Sequence, residues 1–233
     1  MQTDHPVVSR HQWNVAREAL LQREKALTRA GDALARERMA LPWVRMDKAY
    51  AFDGAHGAHA LDALFQGRSQ LIIYHFMFSP DWEEGCVGCS FLADQLDSAL
   101  VHLLHHDVSV VAVSRAPYAK LAAFKTRMGW NFAWYSSAGS DFNFDFGASV
   151  SLADGAVEER PGASAFIRDP DGEIFHTYSA FERGVERLAG AYNYLDIAPL
   201  GRNENGPHFD ISDWVRHHDR YGDAPRQACH GQA

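Results

Sequence analysis

Two of the three cysteines in this 233-residue chain, Cys86 and Cys89, are separated by two residues in the stretch DWEEGCVGCSFLADQL, residues 81–96. A Cys-x-x-Cys spacing occurs in redox pairs and in zinc sites. In both, the thiolate is the reacting form of the side chain. The elements around the pair decide which chemistry it favours.

A strand and a helix are predicted on either side of the pair. The apolar run LIIYHFMF, residues 71–78, is typical of a strand buried on both faces, and residues 89–106 show one apolar helical face. Cys86 then lies at the amino end of a helix, where free N–H groups and the helix dipole lower a thiol pKa from ~8.5 toward roughly 3.5–7.5. We therefore expect Cys86 to be the nucleophile and Cys89, one turn deeper, to be the resolving thiol.

A zinc site and an ordinary packing pair are the alternatives. Zinc needs four ligands, and the sequence has no second Cys-x-x-Cys. His102, His105 and His106 come at the far end of the same helix, too distant to complete a site. We expect no bound metal or cofactor, and a free surface thiol at Cys229 in the polar tail.

The order of the remaining elements predicts the fold class. Further strands are predicted at 107–114 and 130–136, with a helix between them, then a hairpin at 163–179 and a helix at 180–195. The order β-α-β-α-β followed by a hairpin indicates an α/β fold, a thioredoxin-like three-layer sandwich with a mixed central sheet.

The predicted domains are an N-terminal helical extension (1–45), a thioredoxin-like domain (46–200) and a C-terminal extension (201–233) that packs on the domain and frays at its end. The first contains a helix from about Gln12 to Ala40, rich in Ala, Leu, Glu and Arg. We expect that helix to pack on the domain or on a second copy of the chain. In the second case the protein forms a homo-oligomer.

Composition disfavours nucleic-acid and membrane binding. The formal net charge is −8, with 22 Lys and Arg against 30 Asp and Glu, whereas nucleic-acid affinity needs clustered cations. The amino-terminal residues show no apolar signal region, and the longest apolar run is too short to span a bilayer. We expect a cytoplasmic protein.

The most specific motifs are DWEEGCVGCS, VAVSRAP and RMGWNF. With them, the chain from about Trp13 to about Tyr221 is similar to a bacterial family of thioredoxin-like proteins of unassigned function, often described as predicted dithiol-disulfide oxidoreductases. The resemblance implies a cis-proline facing the cysteines before the hairpin, and Pro161 in RPGASAF matches that position; a trans-proline in a loop is the alternative. Peroxiredoxins carry threonine where this chain has Glu83, which disfavours peroxide reduction.

Four other residues are candidates for supporting roles. Glu83 and Glu84 would raise the pKa of Cys86, and one of them could relay a proton to Cys89; simple solvation of the loop is the alternative. Trp82 could wall the site. Arg115, at the end of the second strand, either favours the thiolate or forms a surface salt bridge.

These observations together predict a thiol-disulfide oxidoreductase. Cys86 attacks a protein or small-molecule disulfide, Cys89 resolves the mixed disulfide, and an external dithiol reduces the resulting bond. The alternatives are a peroxiredoxin-like thiol peroxidase and a non-catalytic binding module on the same fold.

Overall fold

The computed structural model describes residues 5–222, so the prediction for Cys229 falls outside the described residues. The chain divides into two compact units, one ending at Pro42 and one beginning at Trp43.

The first unit contains one long helix, α1 (Arg10–Met39). Ser9 caps its amino end in a capping box: its hydroxyl accepts from the N–H of Gln12, and the Gln12 side chain accepts from the N–H of Ser9. The helix ends two residues before Leu41–Pro42, as the proline predicts. Gly31 does not interrupt it.

The second unit is built on a mixed sheet. Its strands are β1 (Val44–Arg45), β2 (Ala51–Gly54), β3 (Gly57–Ala60), β4 (Gln70–His75), β5 (Val108–Ser114), β6 (Ala133–Ser136), β9 (Gly162–Arg168) and β10 (Ile174–Phe181). Their order across the sheet is β1-β10-β9-β4-β5-β6-β2-β3. The central strands β4, β5 and β6 are parallel, and the other pairs are antiparallel. A separate ribbon pairs β7 (Ser149–Ser151) with β8 (Val157–Glu159).

Helices cover both faces of this sheet. The α-helices are α2 (Val87–His105), α3 (Tyr118–Met128), α4 (Phe142–Asp145) and α5 (Gly190–Leu195). The 3-10 helices are Leu61–Phe65, Glu182–Leu188, Ile211–Asp213 and His218–Arg220.

Side chains that alternate along β4 build two separate cores. Tyr74 and Phe76 pack with residues of α2 and α3 on one face. Leu71 and Ile73 pack with the first 3-10 helix and α4 on the other. Helix, sheet and helix therefore form three layers, and the predicted thioredoxin-like α/β fold is confirmed.

The register of the sheet brings the candidate site together. His75, at the end of β4, lies opposite Val113 of parallel β5 and opposite Gly162 of antiparallel β9. The segment that follows β4 and the segment that precedes β9 therefore meet at one edge of the sheet. In open α/β sheets, sites form at the carboxyl ends of the parallel strands.

Two elements differ from the sequence predictions. The stretch YAFDGAHGAHALDALFQG, residues 50–67, predicts one short strand, a glycine-rich turn and a short helix, but the structure forms a β2–β3 hairpin before a 3-10 helix. The helix predicted over 180–195 is wrong in its first part, because Ala180 and Phe181 pair with β9 and a 3-10 helix follows. Only Gly190–Leu195 is α-helical.

Within the described residues, none of the helices is apolar over a stretch long enough to cross a bilayer.

Candidate active site

Cys86 occupies the cap position at the amino end of α2. Its own N–H donates to the carbonyl oxygen of Met77 at 3.1 Å, which fixes the loop against the end of β4. Its Sγ accepts from the N–H of Cys89 at 3.4 Å. The side chain is half-buried, so the sulfur combines helix-end polarity with access from outside.

Cys89 lies one turn further along the helix and is 2% exposed. Its Sγ accepts from the N–H of Met77 at 3.5 Å. The hydroxyl of buried Tyr74 donates to the Cys89 carbonyl oxygen at 3.4 Å and also interacts with its thiol. Met77 thus contacts both cysteines through its backbone, and Tyr74 reaches the buried cysteine from the sheet.

The pKa values of the two thiols are shifted in opposite directions. A hydrogen bond from the Cys89 thiol lowers the pKa of Cys86 to about 7; burial opposes this shift, and the N–H groups of Cys89 and Gly88 add to it. Burial raises the pKa of Cys89 well above its ordinary value, as do its hydrogen bond to Cys86 and the negative charge there. One thiolate and one thiol therefore coexist near neutral pH, with the thiolate on the accessible sulfur.

Gly85 positions the loop that carries Cys86. A Cβ at this residue would lie 2.7 Å from Cε1 of Phe76 and 3.0 Å from Cε1 of Phe124. Only glycine lets the backbone approach the two rings so closely. On its other side, the Gly85 carbonyl oxygen lies 2.9 Å from Nε2 of buried His217, so the C-terminal segment also holds this loop.

Glu84 points away from the cysteines into an ion-pair network. It pairs with Arg127 at 2.6 Å and with Arg220, and Arg127 also pairs with Asp219 at 2.7 Å. Desolvation raises the pKa of the Glu84 carboxyl, but hydrogen bonds from Arg220 and Arg127 outweigh it and hold that pKa below its ordinary value. Glu84 therefore links the cysteine loop to α3 and the C-terminal segment, and its proton relay to Cys89 stays a prediction.

Glu83 and Trp82 lie on the exposed part of the same loop. Trp82 is 39% exposed, and its carbonyl oxygen accepts from Nζ of Lys120 at 2.7 Å. Neither residue lines the cavity beside Cys86, so the wall expected from Trp82 is formed by other side chains.

Arg115 follows β5 directly, and its side chain pairs with Glu159. Its Nε donates to Oε1 of Glu159 at 2.8 Å, and the Glu159 side chain is 2% exposed. The second oxygen of Glu159 accepts from the Ser149 hydroxyl at 2.6 Å. Of the two interpretations of Arg115, the salt bridge applies, although it is buried and not on the surface.

Pro161 precedes β9, as expected, and faces the same cavity as Cys86. All described peptide bonds are trans, so the cis-proline implied by the resemblance is wrong here. The backbone around it is also occupied: the Pro161 carbonyl oxygen accepts from the N–H of Glu182 at 2.7 Å, and the N–H of Arg160 donates to Ala148 at 2.8 Å. Neighbouring backbone groups therefore occupy the hydrogen-bonding groups that would otherwise face a substrate.

A cavity of about 670 Å³ opens beside the two cysteines. Its floor is the first turn of α2, and Pro161 with the 3-10 helix Glu182–Leu188 forms one side. The roof comes from the C-terminal segment, chiefly Phe209, Ile211 and Val215. Val215 is buried in a cluster with Phe91 and Tyr192.

Sequence reasoning missed Tyr74, His217 and the roof. Tyr74 alternates with Ile73 and His75 on β4, so its face was predictable but not its partner. The mid-strand position of His75 in LIIYHFMF predicts a core histidine, and the structure confirms it: Nε2 of His75 lies 2.7 Å from the Ser164 hydroxyl, and burial lowers its pKa to about 3. The apolar anchor FDISDWV was visible in the sequence, but nothing local showed that it covers α2.

No group of three or more His, Cys, Asp or Glu residues within 5–222 is arranged to hold a metal ion.

A model of the family described as "Bacterial protein of unknown function (DUF899)" matches residues 2–221 of this chain. The chain belongs to the DUF899 family. The resemblance to a thioredoxin-like family of unassigned function is therefore confirmed. No curated protein matches the chain.

Several solved structures are similar to this DUF899 chain at low identity. A cysteine-to-serine mutant of PrxQ from Xylella fastidiosa is 12% identical, with 62% of this chain and 88% of that chain covered and a TM-score of 0.46. Peroxidoxin BcpB from Mycobacterium tuberculosis is 14% identical, with 66% and 97% covered and a TM-score of 0.46. The reduced 2-Cys peroxiredoxin of Plasmodium vivax is 14% identical, with 68% and 96% covered and a TM-score of 0.42. Likeness at this level assigns no activity to the chain.

Proposed function

We propose that this protein is a thiol-disulfide oxidoreductase. The supporting observation is the asymmetry of the pair: half-buried Cys86 caps α2 with a pKa lowered to about 7, while Cys89 is a buried thiol that donates a hydrogen bond to it. The first sulfur has the properties of an attacking thiolate and the second those of a resolving thiol.

The proposed cycle needs no bound cofactor. The Cys86 thiolate attacks one sulfur of a disulfide R–S–S–R, and one RS⁻ leaves. Cys89 loses its proton and attacks the Cys86 sulfur of the mixed disulfide, releasing the second RS⁻. The protein is left with a Cys86–Cys89 disulfide, two electrons having passed to the substrate, and an external dithiol restores the reduced pair.

The test is a thiol titration with mass spectrometry on a Cys229→Ser background, which removes the third thiol. One equivalent of a small disulfide should remove two hydrogen atoms from the peptide containing Cys86 and Cys89. In Cys89→Ser the reaction should stop at a mixed disulfide on Cys86, and Cys86→Ser should form neither product. A wild-type protein that keeps both free thiols under these conditions would refute the proposal.

The same variants distinguish the proposed oxidoreductase from the two alternatives, a thiol peroxidase and a non-catalytic binding module. A fast reaction with peroxide that depends on Cys86, seen by stopped-flow, would favour a thiol peroxidase. A binding module predicts that Cys86→Ser leaves the bound partners unchanged in a pull-down from cells.

A further inference from the structure

The cavity beside Cys86 is roofed by the chain itself. Ile211 lies over the first turn of α2, where a Cβ on Gly88 would be 3.8 Å from Ile211 Cγ2 and 3.9 Å from Cys86 Sγ. The roof is fastened at its far end, since His217 contacts Gly85 and Asp219 pairs with Arg127. A substrate therefore reaches Cys86 through a pocket that the C-terminal segment covers in part.

The backbone beside the cysteines offers little to a polypeptide substrate. An extended peptide is recognised by main-chain hydrogen bonds to an open edge. Here the carbonyl of Pro161, which lines the cavity, already accepts from Glu182, and the N–H of the preceding Arg160 already donates to Ala148. Docking of a peptide would first have to break these bonds.

The size and lining of the cavity suit a small apolar molecule. A volume of about 670 Å³ is within the roughly 300–1,000 Å³ of pockets that enclose small ligands. Met77, Val87, Leu92, Val185, Ile211 and Val215 contribute apolar surface around the sulfur of Cys86.

The charges around the cavity disfavour an anion. Glu182, Glu186, Glu204 and Asp210 line it, against Arg183 and Arg216. Glu186 pairs with Arg183 at 3.2 Å and with nearby Arg202 at 2.7 Å, and Arg202 also pairs with Asp196 at 2.7 Å. This leaves Glu182, Glu204 and Asp210 against Arg216 around the cavity. The excess of carboxylates repels a disulfide that carries negative groups and favours a neutral or cationic one.

From these observations we infer that the substrate of Cys86 is a low-molecular-weight disulfide with an apolar body and no negative charge. This inference rests on the proposed function and specifies its substrate. The electron balance is the one given above: the small disulfide is reduced to two thiolates, and the Cys86–Cys89 disulfide forms.

Rates of reaction with matched probes test the charge preference. Cystamine (cationic), hydroxyethyl disulfide (neutral) and dithiodipropionate (dianionic) are similar in size, and each rate is divided by that of the same probe with free 2-mercaptoethanol thiolate, which carries no other charge. We expect the dianion to react about tenfold more slowly than the cation after this correction. Glu182→Gln should narrow that ratio, whereas Asp171→Asn, an equal charge change in the distant β9–β10 turn, should not.

Cavity filling tests the size preference. Gly88→Leu places a side chain in the space above Cys86, so it should slow neutral, aromatic dithiodipyridine more than hydroxyethyl disulfide. Both probes are measured on one variant, so any general loss of Cys86 reactivity cancels in the ratio. With dithiothreitol as reductant, the wild-type protein should not accelerate insulin reduction above dithiothreitol alone.

Failure of the proposed function and failure of the inferred substrate class give different results. If no probe produces the Cys86–Cys89 disulfide, the proposed function itself fails. If every probe produces it at equal corrected rates, or if insulin is reduced as readily as the small disulfides, only the substrate class is overturned.

Discussion

Nε2 of His217 lies 2.9 Å from the carbonyl oxygen of Gly85, the residue directly before Cys86. The two residues are 132 positions apart in the chain, and His217 is 3% exposed. The C-terminal segment therefore helps to define the conformation of the cysteine loop.

His217→Ala should leave a buried carbonyl oxygen without its partner and lower the free energy of unfolding by about 1–3 kcal/mol. His218→Ala is the matched control, because its contact with Asp94 lies at the surface and is worth less than about 1 kcal/mol. Urea unfolding of both variants measures the difference. Equal decreases in unfolding free energy for the two variants would mean that the contact between His217 and Gly85 adds nothing to stability.

The acidity of Cys86 should depend on the Cys89 thiol, since a hydrogen bond from that thiol is the largest cause of the lowered pKa. The rate of iodoacetamide alkylation at Cys86 should titrate with a midpoint near the pKa of about 7. Cys89→Ala should raise this midpoint by about one unit or more, and Cys89→Ser, which keeps a donor, should raise it less. A midpoint near that of a free peptide thiol in the wild-type protein would contradict this account.

The contribution of Cys86 to the free energy of unfolding should rise between about pH 7 and pH 9, because its pKa is lower in the folded than in the unfolded protein. The pKa of Cys86 is lowered from its ordinary value of 9.0 to about 7 in the folded protein. This group therefore contributes stability that is fully present above about pH 9 and lost as the pH falls through about 7. One pKa unit corresponds to about 1.4 kcal/mol, so the contribution is at most about 2–3 kcal/mol.

The unfolding free energy of the wild-type protein minus that of Cys86→Ser isolates this contribution. The difference in unfolding free energy should increase between pH 6 and pH 9, measured by urea unfolding under reducing conditions. The absolute stability of the wild-type protein should decline at higher pH, because the pKa of Cys89 is raised and its thiol ionises more readily when unfolded. A flat difference between the two proteins would show that the Cys86 thiolate is not stabilised by folding.

Arg115 should matter for folding and not for the thiolate. Arg115→Ala leaves the Glu159 carboxylate, whose side chain is 2% exposed, buried without its cation, a change that costs about 3–5 kcal/mol. The pH profile of Cys86 alkylation should stay the same. Arg160→Ala, which breaks an exposed pair with Glu158, is the control and should cost less than about 1 kcal/mol. A shifted Cys86 profile in Arg115→Ala would restore the role expected from the sequence.

Local signals made the cysteine placement predictable. The apolar run at 71–78 and the helical pattern after Cys89 are properties of neighbouring residues, and they placed Cys86 at the amino end of α2. The partners of Arg115 and Glu84 were not predictable in this way. Glu159 is 44 residues from Arg115, and Arg220 is 136 residues from Glu84, so sequence spacing does not indicate these pairs.

The segment 180–195 is a second part of the chain that the sequence did not predict correctly. Its composition favours a helix, but pairing of Ala180 and Phe181 with β9 extends β10, and Glu182 takes a positive φ of 53° where the strand ends. Tertiary pairing outweighs helix propensity here. The resulting turn brings Glu182 beside Pro161 and so shapes one side of the cavity.

Tyr74 should control the second step of the proposed cycle. Its hydroxyl interacts with Cys89 and lowers the pKa of that thiol, against the larger effect of burial. In Tyr74→Phe the pKa of Cys89 should rise further, so resolution of the mixed disulfide should slow by about fivefold, the effect of one hydrogen bond of roughly 1 kcal/mol. The attack by Cys86 should keep its rate.

Dithiodipyridine allows both steps to be followed in one stopped-flow trace, because each step releases one thiopyridone. The slower release should be selectively retarded in Tyr74→Phe. Tyr50→Phe removes a hydroxyl on the opposite face of the sheet, where it bonds to Asp145 at 2.9 Å, and should leave both phases as in the wild type. If the second phase is unchanged in Tyr74→Phe as well, Tyr74 serves only to fill the core between β4 and α2, and the Met77 N–H remains the group that positions the Cys89 sulfur for attack.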